Sequence, residues 1–224
     1  MFKPQYRKLD LADVDLSADL RLPKNAIGLV VFVHGSGSSR TSPRNQQVAQ
    51  YLSERGLGTL LFDLLTDEEQ VLDRLTRELR FDIPLLTRRL VGVIDWIEGS
   101  AELRPLRIGL FGASTGAAAA LLAAVERPDV VHAVVSRGGR TDLAGPALGR
   151  VKAPTLQIVG GEDLQVLDMN RESADALQCE QRLEVVAGAT HLFEEPGTLE
   201  EVARLAGDWF EVHLRTPVTK TPSR

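Results

Sequence analysis
The segment Gly112-Ala113-Ser114-Thr115-Gly116 sets a serine between two glycines, directly after the apolar run Ile108-Gly109-Leu110-Phe111 and directly before Ala117-Ala118-Ala119-Ala120-Leu121-Leu122. That succession reads as strand, abrupt turn and helix. In so tight a bend Gly112 and Gly116 let the backbones come close while Ser114 projects outward as a nucleophile. A serine hydroxyl is unreactive at neutral pH unless a base lies within hydrogen-bond reach and a third group fixes the base's tautomer. Of the four histidines, His191 in Gly188-Ala189-Thr190-His191-Leu192-Phe193 follows the last strand-like run and is placed to be that base. His34 precedes Gly35 in a glycine-rich loop and is expected to hydrogen-bond that loop; His132 reads as a satisfied core residue and His213 as part of the closing helix. Glu162 and Asp163 both follow Ile158-Val159-Gly160-Gly161. Asp163 is preferred as the orienting acid, because two glycines and a spacer let the chain turn before the carboxylate points back. The competing role for either acid is to cap the next helix.

The oxygen that becomes negative during acyl transfer needs donors already in place. The backbone N–H of Thr115, at the helix start, is one candidate. The second is the Ser36 N–H in His34-Gly35-Ser36-Gly37, with Gly37 behind it. Read instead as a phosphate cradle, this loop fails: it lacks GxxxxGK[ST] with its lysine, and its GxGxxG frame ends in Arg40. Arg137 and Gly37 are candidate substrate-binding residues. Arg137 either grips a substrate carboxylate bidentately or pairs with Asp63 or another acid to pin its loop. Arg40 and Arg44 read as solvated or helix-associated.

These residues need a scaffold that gathers them. Leu9 to Leu22 alternates imperfectly, as one or two antiparallel edge strands would. Gly28–Val33, Gly58–Asp63, Arg107–Phe111, Val130–Val135 and Thr155–Val159 are continuous apolar runs of the kind buried on both faces of a sheet. Arg182–Val186 reads as a last strand. Helices are expected over Pro43–Arg55, Thr66–Arg80, Asp82–Glu98, the alanine-rich run, Asp168–Leu177 and Leu199–Leu214. In the second of these, Leu72, Leu75 and Leu79 form the apolar side, and a surface helix is preferred to a pocket wall. Alternation of strand and helix implies a mostly parallel sheet covered on both faces, with ligands beyond the carboxyl ends of its strands. His34–Arg40, Asp63, Ser114, Arg137, Asp163 and His191 all follow strand ends and should share one rim.

The chain has 224 residues, 43% hydrophobic and 25% charged, and a net charge of −5. That suits one globular domain over residues 1–215, with 216–224 as a frayed tail. No basic stripe marks a nucleic-acid surface, and no run approaches a membrane span. Cys179 is the sole cysteine, without a cationic neighbour, and reads as a bystander thiol in a reducing compartment. The stretch Met1–Arg7 has no apolar signal core, so a cytoplasmic location is expected.

The four motifs around Ser36, Ser114, Asp163 and His191, in that order and spacing, resemble the α/β-hydrolase superfamily. Within it, small size and the short segment Ser136–Pro154, which leaves no room for a sizeable cap, resemble the dienelactone hydrolase-like esterases. The resemblance implies a mostly parallel sheet with helices on both faces. It also implies cleavage of small carboxylic esters or lactones through an acyl-enzyme on a Ser114–Asp163–His191 triad, with no metal or organic cofactor. Dienelactone hydrolases proper use a cysteine where this chain has Ser114, so the resemblance bears on fold and triad more than on substrate. The same acyl-enzyme would serve an acyltransferase, thioesterase or perhydrolase, and a non-catalytic binding module on this fold is the rival of another class.

Overall fold
The structure, a computed structural model, describes residues 3–215. The expected tail, 216–224, lies outside them. Eight strands form one sheet in the order β1-β2-β4-β3-β5-β6-β7-β8. The first two, β1 (Gln5–Asp10) and β2 (Asp15–Arg21), form an antiparallel hairpin, and β2 joins the rest antiparallel to β4. From there on, β3 (Leu29–Val33), β4 (Gly58–Phe62), β5 (Ile108–Ala113), β6 (Val131–Arg137), β7 (Thr155–Gly160) and β8 (Gln181–Val186) run parallel. Strands β3 to β7 are buried almost throughout, as apolar runs lying between two helical layers must be. The last strand, β8, is an exposed edge and carries charge.

Helices α1 (Pro43–Glu54) and α6 (Thr198–Leu214) cover one face, packing Val48, Leu52, Val202 and Phe210 onto Val30, Phe32, Phe111 and Val135. Helices α3 (Ile83–Gly99) and α4 (Thr115–Glu126) cover the other, with Leu86, Leu90, Ile94 and the alanines of α4 against Val31, Val33, Leu110 and Val134. Asp82 caps α3 as expected, accepting from the Leu85 N–H at 2.9 Å. Between β6 and β7 the chain makes a 3-10 run, Thr141–Arg150, and α5 (Leu164–Ala176) follows β7. No helix among the described residues is long and apolar enough to cross a membrane.

One helix departs from the sequence pattern. Helix α2 (Asp67–Thr76) ends early at Arg77 in the left-handed region, and a 3-10 turn, Leu79–Phe81, completes the segment. Two of the three leucines of its expected apolar side face out, Leu72 and Leu75, the latter by 82%, while Leu79, in the 3-10 turn, is half-buried against the core. The one buried residue is Asp73, at 4% exposure. Polar bonds seat this helix instead of apolar packing. Thr66 and Glu69 form a reciprocal capping box, Glu69 also pairs with Arg89 at 2.8 Å, and Asp73 binds the Arg80 N–H and Nε at 3.0 and 2.7 Å.

Candidate active site
Strand β5 ends at Ala113 and α4 begins at Thr115, so Ser114 alone makes the turn between them. It does so at φ 50°, ψ −121°, a backbone region that costs a side-chain-bearing residue on the order of 1–3 kcal/mol. The flanking glycines are there for space. A Cβ on Gly116 would lie 2.2 Å from the Val33 carbonyl oxygen, and one on Gly112 2.5 Å from the Ala117 Cα. The helix start thus packs directly on the end of β3. The strained serine is held by its backbone, its N–H donating to the Arg137 carbonyl at 3.1 Å and its carbonyl accepting from the Arg140 N–H at 3.0 Å.

The loop after β3 closes over this turn. Gly35 lies against Ala113 and Ser114, where an added Cβ would come within 3.1 Å of the Ser114 Cβ. The Ser36 hydroxyl meets the Thr115 hydroxyl at 2.9 Å and donates to the Arg80 carbonyl at 3.3 Å. The two expected anion-holding residues, Ser36 and Thr115, are therefore tied side by side. Thr115 is the first residue of α4, so its N–H has no acceptor within the helix. His34 has the structural role expected of it: Nδ1 donates to the Gly35 carbonyl at 3.0 Å, and Nε2 accepts from the Leu64 N–H at 3.1 Å. Burial pushes its pKa below the usual imidazole value.

On the far side of Ser114 the loop after β8 brings His191 to the same rim. Its ring lies over Gly138, whose Cα face is open to it; a Cβ there would sit 3.4 Å from both Cε1 and Nδ1. Ser114 and His191 thus flank the adjacent residues Arg137 and Gly138. Nδ1 of His191 meets Oδ2 of Asp163 at 2.6 Å. Glu162, the other acid of that loop, is exposed. With Nδ1–H donating to the carboxylate, Nε2 is left as the accepting nitrogen. The remaining histidines stay away: His132 bonds the Val130 carbonyl at 2.7 Å, and His213 stacks on Trp209. Cys179 is half-buried, and burial raises its thiol pKa, the opposite of what a nucleophile needs.

A cleft of about 490 Å³ adjoins the turn on its Ser36 side. Ser36, Gly37, Arg44, Asp73, Arg74 and Arg80 are among its walls; Ser114 is not, so the hollow lies beside the serine instead of over it. Helix α2 is therefore a cleft wall as well as a surface helix, which corrects the sequence reading. Arg80 was missed by that reading. Three of its N–H groups are spent on Asp73, and its Nη1 lies over Gly37, 3.0 Å from where a Cβ would stand. Bonds from Arg80 also help hold the Asp73 carboxyl below its ordinary pKa, against burial acting to raise it. Glu195 was missed too: it accepts from the Thr190 N–H and hydroxyl at 3.1 and 2.6 Å, clamping the His191 loop. No spacing rule foretells either contact, since each partner comes from a bend of the folded chain.

The expected pairing of Arg137 with Asp63 and the expected solvation of Arg40 are both corrected. Asp63 does not pair with Arg137. It binds Arg40, accepting from the Arg40 backbone N–H at 2.8 Å and from its guanidinium, and Arg40 also lies 3.7 Å from Asp19. The loop after β3 curls back over β4, which delivers Arg40 to the buried carboxylate instead of leaving it solvated. Arg137 is the last residue of β6, not part of an exit loop, and its side chain packs beneath Phe193 with the guanidinium 5.9 Å from the ring centre. Arg44 makes a surface pair with Glu194 at 3.1 Å.

No protein-family profile matches the chain. The crystal structure of a dienelactone hydrolase from Anabaena variabilis is 54% identical and superposes with a TM-score of 0.93, covering 95% of this chain and 100% of that one. Est1E from Butyrivibrio proteoclasticus shares the fold, with a TM-score of 0.77 at 16% identity, covering 94% of this chain and 98% of that one. A protein of two Mycobacterium tuberculosis strains, provisionally named a phosphoribosyl transferase, is 53% identical over 204 residues, 91% of this chain. The chain spans 45% of the length of those mycobacterial relatives.

Proposed function
We propose that this chain, which belongs to the α/β-hydrolase superfamily and within it to the dienelactone hydrolase group, is a serine hydrolase of small carboxylic esters or lactones. The observation that carries the proposal is the 2.6 Å contact between His191 Nδ1 and Asp163 Oδ2, made on the rim where Ser114 is held in a strained turn. Strain of that kind persists only where the surrounding structure enforces it, and nucleophile turns are one such place.

In this reading the Ser114 hydroxyl oxygen attacks the ester carbonyl carbon while His191 Nε2 takes its proton. Asp163 holds the imidazole in the required tautomer and steadies the imidazolium that forms. The N–H groups of Thr115 and Ser36 receive the carbonyl oxygen as it turns negative, each such donor being worth about 3 kcal/mol in the transition state. The C–O bond breaks, His191 returns the proton to the departing alkoxide, and the acyl group stays on Ser114. Water then attacks the acyl carbon, losing a proton to His191, which passes it to the Ser114 oxygen as that oxygen's bond to the acyl carbon breaks, so the acid leaves and the serine is regenerated. Gly37 and Arg80 line the cleft where the rest of the substrate would lie. The water-for-alcohol choice in the second half separates hydrolysis from acyl transfer, and competing alcohols, thiols or peroxide in the assay report which acceptor is used.

Phosphoribosyl transfer, the activity in the mycobacterial relatives' name, is not carried over to this chain, because over half of those relatives' length lies beyond what it spans. The test is covalent labelling with a fluorophosphonate, followed by peptide mapping. A single adduct on Ser114, absent in Ser114→Ala together with hydrolysis of a short p-nitrophenyl ester, is the expected result. Labelling elsewhere, or undiminished turnover in the variant, would overturn the proposal.

A further inference from the structure
Asn170 is fully buried in the middle of α5. Both hydrogens of its amide are used: Nδ2 donates to the Gly139 carbonyl at 2.8 Å and to the Val166 carbonyl of its own helix at 2.8 Å. Because both neighbours are carbonyl oxygens, the amide nitrogen must be the atom that faces them. Its Oδ1 is buried with no hydrogen-bond partner among the described residues, which costs stability. The Val166 carbonyl already belongs to the backbone ladder of α5. What the side chain adds beyond its own helix is the bond to Gly139.

Gly139 belongs to the segment 137–140, which touches both Ser114 and His191. The Arg137 carbonyl accepts the Ser114 N–H at 3.1 Å, the Arg140 N–H donates to the Ser114 carbonyl at 3.0 Å, and the His191 ring lies over Gly138. Gly138 is itself anchored, its N–H donating to the Ile158 carbonyl at 2.8 Å. Gly139 is pressed against the start of α4: a Cβ there would lie 1.9 Å from the Ser136 Oγ and 2.6 Å from the Ala117 Cβ. With no side chain of its own to hold it, Gly139 is held from outside, by Asn170. The helix that supplies Asn170 has Asp163 at its N-cap, where the Asp163 carbonyl accepts the Leu167 N–H at 2.9 Å. One amide bond therefore joins the element that starts at the acid to the segment that seats Ser114 and His191. We propose that Asn170 is a positioning residue of the reaction, fixing segment 137–140 so that Ser114 and His191 keep their places relative to each other and to Asp163. This role rests on the serine-hydrolase reading of the site.

Asn170→Ser is the test. A helical serine bonds the carbonyl four residues back, as Ser173 of α5 does to Met169 at 2.8 Å, so this variant keeps a bond to Val166 and loses the one to Gly139. Hydrolysis of a short p-nitrophenyl ester, assayed well below the melting temperature, should show kcat lower by about 10²-fold and KM within about twofold of wild type. Misplaced reacting groups cost rate while ground-state binding in the cleft survives. Ser53→Ala, which deletes a buried hydroxyl bonded to the Ala49 carbonyl at 2.8 Å on α1, is the control: stability falls and kcat does not. Amide hydrogen exchange reads the same hold without catalysis. In the wild type the Ser114 and Arg140 amides exchange as slowly as the core strands, and in Asn170→Ser they exchange about 5–10-fold faster, as the loss of one hydrogen bond predicts. Unchanged kcat or unchanged exchange in folded Asn170→Ser, or an equal kcat loss in Ser53→Ala, would overturn the proposal. Fast exchange of both amides in the wild type would overturn it without any variant. Wild-type protein that neither hydrolyses esters nor takes a fluorophosphonate would sink the serine-hydrolase reading instead, with the exchange difference still reporting the hold on segment 137–140.

Discussion

Replacing Ser114 by glycine should make the protein more stable while ending its catalysis. Ser114 sits at φ 50°, ψ −121°, where a residue with a Cβ stores on the order of 1–3 kcal/mol and glycine stores none. Against that relief stand the greater freedom of glycine in the unfolded chain, about 0.5–1 kcal/mol, and the loss of one half-buried methylene. The Ser114 hydroxyl has no hydrogen-bond partner among the described residues to lose, and the backbone bonds to Arg137 and Arg140 do not depend on the side chain. The balance is a gain of about 1 kcal/mol, which for a domain of this size raises the melting temperature by about 2–4 °C. Ser114→Ala is the control. It removes the hydroxyl but keeps the Cβ and the strain, so its melting temperature should match the wild type within about 1–2 °C. Scanning fluorimetry on the three proteins, with ester hydrolysis followed in parallel, reads both quantities. A glycine variant less stable than the alanine variant would refute the strain argument, and residual turnover near the wild-type rate would refute the nucleophile.

Asp163→Asn should lower kcat by about 10⁴-fold with little change in KM, since the amide presents the wrong group to His191 Nδ1; steady-state kinetics check this. Around α2 the usual rule inverts. Leu75→Glu should cost less than about 0.5 kcal/mol, whereas Asp73→Ala, which strands Arg80, should cost about 2–4 kcal/mol in urea denaturation. His34 predicts a pH effect. Its folded pKa is depressed by burial, so its neutral form favours the native state, and that contribution is complete above the unfolded value near 6.5 and lost as pH falls below it. The melting temperature should drop from pH 7 to pH 5 by proton uptake on unfolding. His213, also depressed, adds in the same direction, so the measurement belongs in a His213→Gln background.

The local signals sufficed for the parts of this molecule that depend on neighbours in sequence. Continuous apolar runs mark β3 to β7 because strands buried on both faces have no polar side to show, and Gly112 and Gly116 announce the turn at Ser114 because no larger residue fits there. Chain order alone put Ser114, Asp163 and His191 after the ends of three parallel strands, β5, β7 and β8, and hence on one rim. Tertiary structure decided the questions whose answers lie across the chain. It assigned the His191 contact to Asp163 over Glu162, gave Asp63 to Arg40, left Arg137 beneath Phe193, and turned Leu72 and Leu75 of α2 outward over a buried Asp73. The physical reason is common to all four. A periodic pattern tells which residues share a face, but the choice of ion partner, and of which face turns inward, rests on small differences between long-range contacts that no window of sequence contains.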